Sequence, residues 1–207
     1  MVEKKYFLKI LLLLFNTMEQ FSIYLQTGFE HIADWKGYDH ILFVVALCAT
    51  YLVDDWKKIL ILVTAFTIGH SFTLALASLQ IIVFEAEIIE FLIPITIFCT
   101  AIFNFFVYQQ KTDRRKYALA IFFGLIHGLG FSNYLSALLG KESDILIPLL
   151  SFNVGLEIGQ LIIVGITLIF SQLFIGLLGV KPREWNLVIS GAIAGISLVL
   201  LSEKWIF

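Results

Sequence analysis

The run Ile59–Phe84, ILILVTAFTIGHSFTLALASLQIIVF, decides the fold. A bilayer core needs about 20 apolar residues in helical form, and this run supplies them. Inside it sits Gly69-His70-Ser71. An ionisable side chain in the hydrocarbon layer costs roughly 2.5–3.5 kcal/mol on insertion scales, so it faces the bundle interior and marks a site.

Working outward, the same character recurs. Ile88–Tyr108, Tyr117–Leu139, Ile145–Leu178 and Trp185–Leu201 are each long and apolar enough to span, the last narrowly. Tyr38–Val53 is shorter and opens on polar residues. Tyr6–Ile32 is apolar but interrupted by Asn16, Glu19 and Gln20. The whole chain is 59% hydrophobic and 14% charged, with mean hydropathy +0.93, beyond an ordinary soluble domain. These features predict an all-α fold: a polytopic integral membrane bundle of six to seven transmembrane helices, one domain over residues 1–207. A net charge of −2 argues against a nucleic-acid partner.

The N-terminus leaves two readings open. Lys4-Lys5 before Phe7–Phe15 resembles the start of a signal peptide, yet no Ala-x-Ala-like cleavage site follows. Met18 is an alternative start, which would make residues 1–17 a dispensable extension. Met18–His31 reads as an amphipathic helix with Phe21, Tyr24, Leu25, Phe29 and Ile32 on one side.

Basic residues set the expected orientation. Lys4, Lys5 and Lys9, then Lys57 and Lys58, then Lys111, Arg114, Arg115 and Lys116, then Lys181 and Arg183 mark alternate connections. The others hold only Lys36, Lys141 and Lys204. The positive-inside rule makes the basic connections cytoplasmic, in a cell (inner) membrane. The N-terminus is then cytoplasmic if the first segment spans, and the C-terminus outside.

All four histidines, His31, His40, His70 and His127, lie in or at the mouth of apolar segments. Imidazole is the commonest metal ligand. His70 and His127 each lie about ten residues into a helix that starts inside, which matches their depth at 1.5 Å per residue. Asp39-His40 opens a helix at its outer end. Asn153, Glu157 and Gln160 form an i, i+4, i+7 stripe descending towards the same level. The candidate metal ligands are therefore His40, His70, His127, Asp39, Glu157 and His31, with Asn153, Gln160, Ser71 and Thr73 behind them. His31 and Asp39 also read as interfacial and solvated groups, and Glu157 also as a proton carrier or hydrogen-bonded anchor. Glycines at 124, 128, 155 and 159 permit close helix packing around His127 and Glu157. Ser71, Thr73 and Asn104 read as bonds between helices, and Glu90 as a helix cap. Cys48 and Cys99 have no CxxC partner and read as small hydrophobes.

Five ordered motifs carry a family resemblance. Glu30-His31-Ile32 with Gly37-Tyr38-Asp39-His40-Ile41-Leu42-Phe43 resembles the HI-x-x-G-x-DHILF signature of the HupE/UreJ family. Phe66-Thr67-Ile68-Gly69-His70-Ser71-Phe72-Thr73-Leu74 resembles its FT-x-GHS-x-TL, and Glu90–Ile97 its E-x-LI-x-x-SI, with Pro94 and Thr96 as departures. Phe123–Phe131 is similar to FG-x-IHG-x-GF, and Phe152–Gln160 to FN-x-GVE-x-GQ. The resemblance implies a hydrogenase or urease accessory membrane protein or a nickel or cobalt permease. Its motif positions here are His31, Asp39, His40, His70, His127, Asn153 and Glu157.

Imidazole-rich sites suit Ni, Co, Zn or Cu rather than Mg or Ca. No P-loop is present, so this chain brings no ATPase of its own. A divalent-cation permease with a site open to the outside leads on the resemblance. The alternatives are a membrane metalloenzyme with Glu157 or Asp39 as base, and a metal-binding accessory subunit; a homo-oligomer or partner stays open. The stretches Ile59–Phe66 and Ala118–Phe123 offer only Thr64 as a polar step inward, which argues against a static open channel.

Overall fold

The computed structural model describes residues 2–106, 114–140 and 145–205, and is helical throughout with no strand among them. Lys111 and Lys141 lie outside the described residues, as do the side chains of Lys4, Lys5 and Lys9. The helices are α1 (Val2–Ala33), α2 (Asp39–Cys48), α3 (Trp56–Ser78), α4 (Ala86–Phe106), α5 (Arg114–Gly130), α6 (Ser132–Leu139), α7 (Leu146–Gln172) and α8 (Pro182–Glu203). A single 3-10 turn, Val53–Asp55, leads into α3, and a π turn, Leu173–Leu177, continues α7.

Local chemistry explains the ends. α3 closes with the Ile81 N–H donating to the Leu76 carbonyl and the Gln80 N–H to the Ala77 carbonyl, both 2.9 Å, with Gln80 left-handed at φ 57°. That is a Schellman termination in which a non-glycine residue occupies the left-handed position. α8 starts with Pro182 at its first turn, where a missing N–H costs nothing.

Fewer helices qualify as spans than the six to seven expected. The stretches Val53–Ser78, Ala86–Phe106, Leu146–Leu177 and Pro182–Glu203 are long and apolar enough. A fifth is formed if α5 and α6, bent by 50° at their break, are taken together. α1 is not among the candidate spans found in the described residues. α2, with 10 residues, reaches only about 15 Å, half a bilayer core. On the amphipathic side of α1, Tyr24 and Ile32 are buried, Leu25 and Phe29 half-buried, and Phe21 exposed.

Two pairs of helices touch backbone to backbone through glycine. A Cβ at Gly69 would meet the Ile121 carbonyl and the Leu125 N–H of α5, and one at Gly124 would meet the Phe66 carbonyl and the His70 N–H of α3. Both contacts advance together along the chain, since Gly128 meets His70 and Thr73 next, so α3 and α5 run parallel. In the same way Gly155 meets Leu25 and Phe29, Gly28 meets Phe152, and Gly159 meets Ile32, so α1 and α7 run parallel. Opposed to these is the pair α4 and α8, whose contacts Glu90–Lys204 and Asn104–Asn186 show them antiparallel. α4 is antiparallel to α5, because Thr96 meets His127 while Ile93 meets Gly130. α7 turns back into α8, with Phe174 against Trp185. Together these contacts give α1, α4 and α7 one direction and α3, α5 and α8 the other. The charge pattern led to α1 and α3 starting on the same face; the helix contacts start them on opposite faces.

Alanine at Gly69 or Gly124 should lower thermal stability in detergent by about 1–3 kcal/mol, because the added methyl lands on backbone that cannot step aside. Gly195→Ala, with open space around its Cβ position, should be neutral or stabilising by up to about 1 kcal/mol. Equal melting temperatures for all three variants would refute the close-packing account.

Candidate metal centre

The glycine contacts and the breaks between helices bring all four imidazoles to one level of the bundle. His31 ends α1, His40 opens α2, His70 follows Gly69 on α3, and His127 stands one turn beyond Gly124 on α5. Ring centroids are 4.5 Å apart for His31–His40, 5.8 Å for His31–His70, 6.2 Å for His40–His70 and 4.9 Å for His40–His127. His31, His40 and His70 each offer one ligand nitrogen, all within 4.8 Å of one another. His127 joins this trio only through His40. The sequence reading grouped His40, His70 and His127 by depth; the loop 34–38 instead folds His31 back against His40.

Hydrogen bonding fixes which nitrogen His40 and His127 present. Asp39 Oδ1 lies 3.1 Å from His40 Nδ1 and accepts its proton, leaving Nε2 with a free lone pair. Thr96 Oγ1 donates to the Ile93 carbonyl at 2.7 Å, so at 2.8 Å it accepts from His127 Nε2–H. His127 Nδ1 then carries the lone pair. His31 Nε2, His40 Nε2, both nitrogens of His70 and His127 Nδ1 are buried with no hydrogen-bond partner among the described residues. A buried polar atom without a partner costs about 1–3 kcal/mol, so this many in one cluster points to a ligand they are shaped to hold. A divalent cation bound by neutral imidazoles satisfies them, and the donor set fits a borderline transition metal.

The remaining candidates divide. Asp39 orients His40. Glu157 is half-buried and accepts from Thr64 Oγ1 at 2.6 Å, six residues before His70 on α3. Gln160 accepts from Thr67 at 2.7 Å, with its Nε2 unpartnered among the described residues. Asn153 Oδ1 is likewise unpartnered there. Thr73 bonds across helices to the Leu125 carbonyl at 2.8 Å, as expected. Ser71 does not; it bonds the Thr67 carbonyl of its own helix at 2.7 Å. Asn104 donates to the Ala46 carbonyl at 2.7 Å and reaches Ser190 at 3.3 Å. Glu90 caps no helix; its carboxylate holds Lys204 at 2.6 Å. Cys48 is buried and Cys99 exposed.

Cavities open to the rings around Asp34: one of about 590 Å³ reaches His31 past Thr27, Glu30 and Tyr134. A cavity of about 250 Å³ reaches His31 and His40 and is lined further by Asp34, Asp39, Glu90 and Lys204. Its acidic rim raises the local concentration of cations. The opposite side is closed by aromatic rings: Phe43 and Phe66 are fully buried with centroids 4.8 Å apart, and Phe43 lies 6.1 Å from Phe123.

Sequence reasoning missed Thr96, which fixes the His127 tautomer. The available signal was Thr96, Thr100 and Asn104, at i, i+4 and i+8 in an otherwise apolar helix. It also missed the aromatic lining by Phe66, Phe131 and Phe152, since phenylalanine in an apolar run carries no signal of its own.

Residues 8–207 match the family model described as HupE / UreJ protein, nearly the whole chain, so the chain belongs to that family. It is a multi-pass membrane protein of a family linked to nickel and cobalt handling. Comparison with curated proteins and with solved structures returns no match.

Alanine at His31, His40 or His70 should each weaken zinc or nickel binding about 10–100-fold, read by calorimetric titration of the purified protein. Binding should fade as pH falls, because protons compete for the same imidazole lone pairs. Three single variants that all titrate like the parent would dismantle the shared centre.

Proposed function

We propose that this HupE/UreJ protein is a permease for a divalent transition-metal ion, nickel or cobalt by family, held in transit by His31, His40 and His70. The observation that carries the reading is the trio of imidazoles with buried, unpartnered nitrogens within 4.8 Å of one another, beside a cavity lined by Asp34 and Asp39. The ion is cargo, taken up from the side of Asp34 and Glu90, which the basic connections assign to the cell exterior. His127 lies next in line, with its Nδ1 lone pair turned to no other group.

The alternative as a hydrolytic metalloenzyme is less well supported. Metal-assisted hydrolysis needs a base within hydrogen-bond reach of the metal-bound water. Asp39 is engaged with His40, and Glu157 with Thr64. No carboxylate stands free beside the rings among the described residues. The membrane potential supplies the drive, about 2.3 kcal/mol per charge per 100 mV, doubled for a divalent ion moving inward.

Glu157, held by Thr64 Oγ1 at 2.6 Å, is the carboxylate on α7 whose negative charge would assist passage of the cation. Glu157→Gln keeps an oxygen to accept from Thr64 and removes the charge. In proteoliposomes loaded with a metal-sensitive dye, NiCl2 or CoCl2 flux through this variant should fall at least tenfold with binding little changed, an effect of about 1.4 kcal/mol on the barrier. Unchanged flux would assign Glu157 to packing, and no flux through the unaltered protein with any of Ni, Co, Zn or Cu would remove the permease reading.

A further inference from the structure

The two halves of the chain repeat each other. Gly28-Phe29-Glu30-His31 on α1 is echoed by Gly124-Leu125-Ile126-His127 on α5, and Phe66-Thr67-Ile68-Gly69 on α3 by Phe152-Asn153-Val154-Gly155 on α7. The packing follows the echo. In both parallel pairs, the methyl position of each glycine meets the carbonyl three residues before the partner glycine: Ile121 and Phe66 in one pair, Phe152 and Leu25 in the other.

The rings repeat as well. Phe152 lies 5.7 Å from His31 and 5.0 Å from Phe131, with His31 to Phe131 at 4.0 Å. Phe66 lies 5.3 Å from His127 and 6.5 Å from His40, with His127 to His40 at 4.9 Å. Phe152 thus corresponds to Phe66, His31 to His127, and Phe131 to His40. His70 stands between the two triads, 6.0 Å from Phe66 and 6.2 Å from Phe152. α5 breaks into α6 with a 50° bend shortly after His127, and α1 ends shortly after His31 in the loop 34–38 that leads to α2. The two halves also run in opposite senses, since α1, α4 and α7 oppose α3, α5 and α8. The antiparallel pair α4 and α8 joins equivalent helices across the symmetry axis.

We infer that the chain is an inverted repeat of α1–α4 and α5–α8, and that the halves exchange conformations to expose His70 alternately to two cavities. One is the cavity at Asp34 and Glu90. The other is a cavity of about 270 Å³ beyond the opposite aromatic layer, largely apolar, with Leu47, Leu62, Phe103 and Leu119 in its wall and Thr100 and Asn104 as polar steps. Inverted repeats with broken helices at mid-membrane are the usual architecture for such exchange. Thr96, Thr100 and Asn104, all buried on one face of α4, lead from His127 to this second cavity. The Phe66 triad with Phe43 is the closed gate in this conformation, and the Phe152 triad is its counterpart for the other face. The inference rests on the permease reading only for the identity of the ion released there.

Symmetry supplies the test. In full-length protein with Cys48→Ala and Cys99→Ala, a single cysteine is placed at Gly37 for the first cavity or at Leu119 for the second. Reaction with a charged, membrane-impermeant thiol reagent is timed in proteoliposomes without metal. Phe66→Leu should raise the rate at position 119 about threefold or more and lower it at 37, and Phe152→Leu should do the reverse, as for a two-state population shift. Shifts in the same direction, or none, would overturn the inference. If a leucine variant fails to run as a single species, the Phe66→Met and Phe152→Met pair repeats the comparison. With the phenylalanines intact, NiCl2 should also move the two rates in opposite directions; a bound ion that leaves the rate at 119 unchanged contradicts the exchange. Titration of the same protein with NiCl2 scores the metal reading separately, and its failure would leave the metal-free comparison standing.

Discussion

Close backbone approach at Gly69 with Gly124, and at Gly28 with Gly155, is the constraint from which the rest of the molecule follows. Without hydrophobic driving force between helices in lipid, such contacts bring helices together through dispersion and short polar contacts. Each of the two crossings sits one to three residues before a histidine: His70 and His127 after one, His31 after the other. Packing therefore delivers the imidazoles to the bundle centre, and no loop has to hold them. The broken ends of α1 and α5 then let His40 and Phe131 enter from the ends of α2 and α6.

That delivery creates a hydrogen-bonding problem. The four rings leave buried nitrogens with no hydrogen-bond partner among the described residues, which costs free energy unless a ligand meets them. Neutral rings are the metal-binding form, and Asp39 and Thr96 select which nitrogen faces inward. A cation held there as proposed, beside neutral nitrogens, would carry net charge that Asp34 at the cavity mouth can balance from outside, Glu90 being paired with Lys204. A carrier needs a balance between capture and release.

The fold class was legible because hydropathy alone decides it: runs such as Ile59–Phe84 admit no other reading. The helix directions were not. Lysines near the N-terminus suggested that α1 starts on the same face as α3, whereas the contacts of Gly155 and Gly159 with α1 set the opposite sense. Depth arguments correctly drew His40, His70 and His127 from separate helices to a common level, yet they could not see that the loop 34–38 turns His31 inward. Glu157 matched its stripe on α7, but its hydrogen bond goes to Thr64, six residues before His70 on α3; spacing reports a face and says nothing of reach. The repeat was written in the glycine and phenylalanine positions of both halves. It escaped notice because the echo is short and the two copies are inverted, so only the helix contacts reveal that they correspond.

The most direct test of the metal centre is X-ray absorption at the zinc edge of protein loaded with one equivalent of zinc. The account predicts three imidazole nitrogens at about 2.0–2.1 Å, with the multiple-scattering signature of histidine rings. A shell of oxygens alone, or one containing the sulfur of Cys48 or Cys99, would contradict it.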